Sequence, residues 1–155
     1  MIDLHRILVP TDFSEHSRQA LRYGIALAEK FGAELHLLHV LQDVSVYQPD
    51  AVTVGPPVVP PVAALTAAAR AALAKTIVDH ELERLGAHAE VREGPPVEEI
   101  VDYAHEHAID LIVIATHGRG WLAHLLLGSV AEKVVRKAPC PVMAVHLAEH
   151  EFVRP

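Results

Sequence analysis

Apolar positions along the chain fall into two kinds of run. RILVPT at residues 6–11, DLIVIAT at 110–116 and PVMAVH at 141–146 are short, nearly unbroken apolar blocks, and ELHLLHVL at 34–41 adds a fourth. Strands buried on both faces have this look, and parallel sheets are built from them. Between the blocks the spacing turns helical. From Ser14 to Phe31 the residues Ala20, Leu21, Gly24, Ile25, Ala28 and Phe31 fall on one side, and Gly32 supplies the stop. An alanine-rich helix is expected over about Val62 to Leu85, closed by Gly86, followed by AHAEVR at 87–92 as a weaker strand suited to a sheet edge. Pro95 and Pro96 open a helix over VEEIVDYAHEH, and a last helix begins at Ser129 and stops at Pro139. A strand, a helix and a strand before residue 42 make a right-handed crossover, and the continued alternation predicts an α/β domain with an open sheet and helices on both faces.

The pattern lapses between Asp43 and Val62. Pro49, Pro56, Pro57, Pro60 and Pro61 sit there among valines with no regular period, which reads as a surface loop, either a lid or a plain connection. A chain of 155 residues is one domain, 1–155, large enough to bury its own core. Composition then removes several function classes. The formal net charge of −7 argues against a nucleic-acid partner held by phosphate contacts. Cys140 is the single cysteine, so no disulfide framework exists, and no apolar run is long enough to span a bilayer. The expectation is a cytoplasmic protein with no membrane partner.

Candidate chemistry gathers at strand ends. Open α/β sheets bind ligands beyond the carboxyl ends of their strands, where the strand order reverses. The first strand ends at Thr11 and Asp12, the fourth at Thr116 and His117. Gly118 and Gly120 follow the fourth strand, and Gly128 and Ser129 stand just before the last helix. Glycines let main-chain N–H groups approach an anion, and the helix start adds unpaired N–H groups and the positive end of its dipole. Two local alternatives stand beside this reading: Ser129 with Glu132 fits an S-x-x-E capping box, and Asp12 with Glu15 fits a cap for the first helix. Arg119 would suit a phosphate or simply face solvent.

Other motifs are absent. Neither G-x-x-x-x-G-K-[ST] nor G-x-S-x-G occurs, and the loose match Gly118-x-Gly120-x-x-Ala123 has Met143, not an acid, about twenty residues on. Among the twelve histidines, His36 and His39 lie three apart on a strand and face opposite ways, while His105 and His107 lie two apart on a helix. No H-E-x-x-H and no cysteine cluster accompanies them, so no metal site is expected. Cys140, between prolines, reads as a small buried residue.

Taken together, ILVPTDFS at the start, LLHV in the second strand and THGRG…LLLGSVAEKVVRKAPCPVMAV at the end resemble the universal stress protein family over nearly the whole length. The family's nucleotide-binding members carry G-x2-G-x9-G-[ST], which Gly118, Gly128 and Ser129 match; Ala115 stands where the first glycine would be. The resemblance implies a five-stranded parallel sheet in the order 3-2-1-4-5, Rossmann-like and close to the adenine nucleotide alpha hydrolases. It implies adenine-side contacts at Pro10, Thr11, Asp12 and Val40. Phosphate-side contacts would fall at Ala115, Thr116, His117, Gly118, Arg119 and Gly120 and at Gly128, Ser129 and Val130. The ligand implied is ATP with Mg or Mn held by the phosphates, and the assembly a homodimer through the last strand, Pro141 to His146. With no Walker-type lysine and no evident general base, the function expected is nucleotide-dependent regulation of a stress response, with no catalytic residue. The alternatives are a homologue that binds no nucleotide and acts through protein contacts, and a slow ATPase or nucleotidyl transferase using Asp12, His117 or Ser129.

Overall fold

The computed structural model describes residues 1–42, 61–116 and 128–147. Parallel strands β1 (Arg6–Pro10), β2 (Glu34–Leu41), β3 (His88–Glu93), β4 (Leu111–Ala115) and β5 (Val142–Val145) form a five-stranded sheet in the order β3-β2-β1-β4-β5. The described connections contain helices α1 (Glu15–Phe31), α2 (Val62–Asp79), α3 (Pro96–Glu106) and α4 (Ser129–Lys137). Fold class and strand order are those expected, and the weak AHAEVR strand is an edge, shifted by one residue.

Successive strand residues point to opposite faces, so each apolar block feeds two cores. Ile7 and Val9, Leu35 and Leu37, and Val113 pack with Ala20, Leu21 and Ala28 of α1 and Leu73 of α2. Leu8, Leu38, Ile112 and Ile114 turn the other way, onto Ile100 and Tyr103 of α3 and Ala131 and Val134 of α4. That division explains why the strand blocks carry no polar alternation. It also brings out His36, a polar residue buried at 4% exposure in a strand of leucines.

Local chemistry sets the helix ends. Ser14 caps α1, its hydroxyl accepting from Ser17 N–H at 3.2 Å, and Gly32 ends it in the left-handed region at φ 68° with its N–H on Ala28 O. The expected Asp12–Glu15 cap is therefore displaced: Asp12 lies outside the helix. The alanine-rich helix also ends earlier than Leu85. It stops at Asp79, Glu81 takes the left-handed conformation at φ 52°, and a 3₁₀ turn over Leu82–Leu85 runs to Gly86. This break returns fully buried Leu82 to the core beside α1, a tertiary gain that helical spacing does not encode. Pro96 occupies the first turn of α3 as expected. Arg92 of β3 ties α3 to the sheet edge: Nε donates to Glu90 Oε1 at 2.7 Å and Nη2 to Glu106 Oε2 at 2.6 Å, with the guanidinium 4.8 Å above the Tyr103 ring.

β1 is hydrogen-bonded to β2 on one side and β4 on the other, with Ile7 opposite Leu111 and Leu8 opposite Ile112. The chain order reverses between β1 and β4, and this places the two polar strand ends on one edge. Among the described residues no helix is long and apolar enough to cross a membrane.

Candidate functional site

The first wall of the site is the turn after β1. Thr11 N–H donates to Leu38 O at 2.8 Å, which ends the pairing with β2. Thr11 Oγ1 then accepts from Phe13 N–H and donates to Ser17 Oγ, both at 3.1 Å, while Asp12 Oδ1 accepts from Ser14 N–H at 3.0 Å. These side chain to main chain bonds define a tight polar turn. Phe13 within it adopts φ 63°, a strained conformation for a bulky residue, and strain of this kind collects at functional edges. Sequence spacing puts neither Phe13 nor His39 at this edge, yet the Phe13 ring lies 4.5 Å from the His39 ring. His39 Nδ1 is 2.7 Å from Thr11 O, so that nitrogen carries the proton and donates. Their signal was weak: an isolated aromatic after a strand, and one histidine beside Val40.

The second wall follows β4. Ala115 is the last strand residue and pairs with Val145. Thr116 is buried, its N–H donating to Val145 O at 2.9 Å and its hydroxyl 3.0 Å from His146 Nδ1. Thr116 O in turn accepts from Gly128 N–H, so the chain leaves β4 and re-enters α4 at one point. His117, Gly118, Arg119 and Gly120 lie between these ends and outside the described residues, as does the proline-rich stretch from Asp43 to Pro60.

At the helix start the structure corrects the capping-box reading. Gly128, at φ −63° and ψ 151°, occupies the cap position, and Ser129 is already the first helical residue. The cap needs extended backbone and a side-chain oxygen; Gly128 has the backbone and lacks the oxygen. No side chain caps α4 among the described residues, and its first regular bond is Glu132 N–H to Gly128 O at 3.0 Å. The amides of Ser129, Val130 and Ala131 therefore face out of the helix without intrahelical acceptors, at the positive end of its dipole. Val130 and Val40 are partly buried against the same apolar layer, which places them on the α3/α4 side of the sheet. Pro10, Thr11 and Asp12 thus stand across the β1/β4 reversal from Ala115, Thr116, Gly128 and Ser129, the adjacency that residue types alone could not establish.

Titratable groups cluster elsewhere too. At the opposite ends of the strands, Glu34, His36 and His88 each offer a ligand atom, all within 4.8 Å of one another. Sequence spacing relates His36 to His39 on its own strand, whereas its neighbour across the sheet is His88, directly opposite on β3. Burial, helped by nearby His88 and His107, lowers the His36 pKa to about 4 and keeps the ring neutral. Cys140 is partly buried, and burial pushes its thiol up, in line with an unreactive packing residue.

An open, doubly wound parallel sheet with a glycine-led, uncapped helix start at its reversal point defines a Rossmann-like α/β domain. The chain belongs to the universal stress protein family, whose profile matches residues 4–146. It is 36% identical over 150 residues to Universal stress protein MJ0531 of Methanocaldococcus jannaschii, covering 94% of this chain and 84% of that one. Among solved structures it is similar to the universal stress protein UspA from Lactobacillus plantarum, at 28% identity and a TM-score of 0.70, covering 94% of this chain and 99% of that one. It shares its fold with a universal stress protein from Archaeoglobus fulgidus in complex with dAMP, at 23% identity and a TM-score of 0.57 over 93% of this chain and 98% of that one. A universal stress protein in complex with cAMP also shares it, at 22% identity and a TM-score of 0.61 over 95% of this chain and 100% of that one.

Proposed function

We propose that the protein is an ATP-binding regulator of a stress response, with the nucleotide laid across the β1/β4 edge. One observation carries this reading: α4 begins uncapped at Gly128, fastened by the Gly128 N–H to Thr116 O bond beside the Thr11–Asp12 turn. The free amides of Ser129 and Val130 and the Ser129 hydroxyl are donors of the right kind for phosphate. The Asp12 carboxylate is an acceptor for an adenine amino group or a ribose hydroxyl, and Pro10 and Val40 offer apolar contact to the base. His117, Gly118, Arg119 and Gly120 would complete the phosphate side, with Mg or Mn held by the phosphates themselves. Two proteins that share this fold are in complex with cAMP and with dAMP, which favours a nucleotide as the ligand. Thr11 spends its hydroxyl within the turn and, among the described residues of this edge, no group is placed as a general base, so we assign binding and no catalysis.

The regulatory output is assigned to a homodimer through β5 and its flanks, Pro141 to His146. β5 is an outer strand of the sheet, with no further strand beside it among the described residues, and exposed Val135 of α4 and Leu147 just beyond β5 add apolar surface on the same segment of chain. Native mass spectrometry of the full chain with Mg and ATP reads both parts. The expected spectrum is a dimer carrying up to one nucleotide per chain. Monomer alone refutes the assembly, and absence of nucleotide at millimolar ATP refutes the binding.

A further inference from the structure

We propose that Glu34, His36 and His88 form a binding site for a divalent transition-metal ion of the zinc class, at the amino-terminal ends of β2 and β3. The site lies at the other end of the strands from the nucleotide edge and is independent of it. Parallel pairing sets His36 directly opposite His88, and Glu34 and His36 are two positions apart on β2, so all three side chains leave the same face. The two imidazoles stand 4.8 Å apart, and Glu34 Oε2 is 3.9 Å from His36 Nε2.

His36 is the residue that asks for an ion. Its side chain is 5% exposed, and its Nε2 is buried with no hydrogen-bond partner. A buried polar nitrogen left in that state carries its full desolvation penalty unless a ligand satisfies it. Nδ1, on the other side of the ring, lies 2.8 Å from Tyr103 Oη. With the proton on Nδ1 donated to that oxygen, the lone pair of Nε2 faces Glu34 and His88. Metal-ligating histidines are oriented by a second-shell bond of this kind. Tyr103 is itself fixed, by the Arg92 guanidinium over its ring and by His107 stacked at 3.9 Å. Glu34 has its own outer partner: Arg6 Nε donates to Oε2 at 3.4 Å, leaving further lone pairs on the carboxylate for a metal.

Two imidazole nitrogens and one carboxylate oxygen are a donor set for zinc and its neighbours, and too rich in nitrogen for Mg or Ca. Metal–ligand bonds of about 2.0–2.2 Å put tetrahedral ligand atoms roughly 3.3–3.6 Å apart, so the trio must close by on the order of 1 Å. Exposed Glu34 and His88 can make that movement around a fixed His36. The trio opens onto a cleft of about 540 Å³, which leaves room for a water in the fourth position.

The test is zinc titration of the full chain, freed of metal by chelator and without nucleotide, against a competing chromophoric chelator. The proposal expects one tight site per chain, weakened about 10–100-fold or more in His88→Ala and in Glu34→Gln. His105→Ala, a surface histidine outside the trio, should bind as the unaltered chain does. Both ligand variants alter exposed residues, and circular dichroism confirms their folding. Cobalt absorption in the visible range gives a second readout, expected to show tetrahedral intensity that His88→Ala removes. Absence of binding, or binding that His88→Ala and Glu34→Gln leave unchanged, overturns the site; neither outcome touches the nucleotide reading.

Discussion

Gly24→Ala is expected to destabilise the protein by roughly 1–3 kcal/mol in urea unfolding, although alanine in a helix interior ordinarily gains about 1 kcal/mol over glycine. Gly24 lies in the middle of α1, where the helix crosses β1. A Cβ there would fall well inside van der Waals contact of Val9 Cγ2 and 3.6 Å from Leu35 Cδ1. Val9 is fully buried and branched at Cβ, so its χ1 is restricted and close packing opposes its turning away. Relief must come from moving α1 off the sheet, which loosens the Ala20, Leu21 and Ala28 contacts on either side. Since α1 also begins at the Thr11–Ser14 turn, the shift would reach the nucleotide edge. The Gly24→Ala, Val9→Ala double variant checks the cause: the methyl groups removed from Val9 make room, so the double variant should lose less than the sum of the single losses. Simple additivity, or stabilisation by Gly24→Ala alone, would count against close helix–sheet packing as the reason for this glycine.

The second large effect is on binding. Asp12→Ala is expected to weaken ATP binding tenfold or more in calorimetry, because a hydrogen bond to a charged group contributes about 1.5–3 kcal/mol. Part of the effect is indirect, through the lost Asp12 Oδ1 to Ser14 N–H bond that shapes the turn. Asp12→Asn separates the two contributions: it keeps an acceptor for Ser14 and removes the charge, so its stability should match that of the unaltered chain while its affinity falls. Unchanged affinity in both variants would remove Asp12 from the site. Ala115→Gly belongs in the same series. Ala115 ends β4 at the position that the family resemblance assigns to the first glycine of the nucleotide motif, so trimming its methyl is expected to strengthen ATP binding in the same calorimetry, and unchanged affinity would show that the methyl does not narrow the pocket.

The sheet was legible because its signal is redundant. Buried parallel strands are apolar on both faces, and RILVP, ELHLLHVL and LIVIA stand out from helical spacing without knowledge of their neighbours. The strand order was not written in that pattern; it came from the resemblance of the strand-end motifs to a family, and the pairing of β1 with β4 bears it out. Misreadings occurred where tertiary contacts decide between local options. Ser129–Glu132 is an adequate capping box as a string, yet Gly128 takes the cap because it bonds to Thr116 from the neighbouring strand end. The helix from Val62 runs past Asp79 in propensity, and the burial of Leu82 breaks it. His36 and His88 lie far apart in sequence, so only the register of β2 on β3 brings their rings together.

Main-chain amides at the start of α4 are expected to receive phosphate across from the β1 turn. Amide chemical shifts followed by NMR during titration with Mg and ATP test that most directly. The predicted result is a set of shifts concentrated at Thr11, Asp12, Thr116, Gly128, Ser129 and Val130, with His36, His88 and Tyr103 at the far end of the strands unmoved. Shifts confined to other surfaces, or none at millimolar ATP, would contradict it.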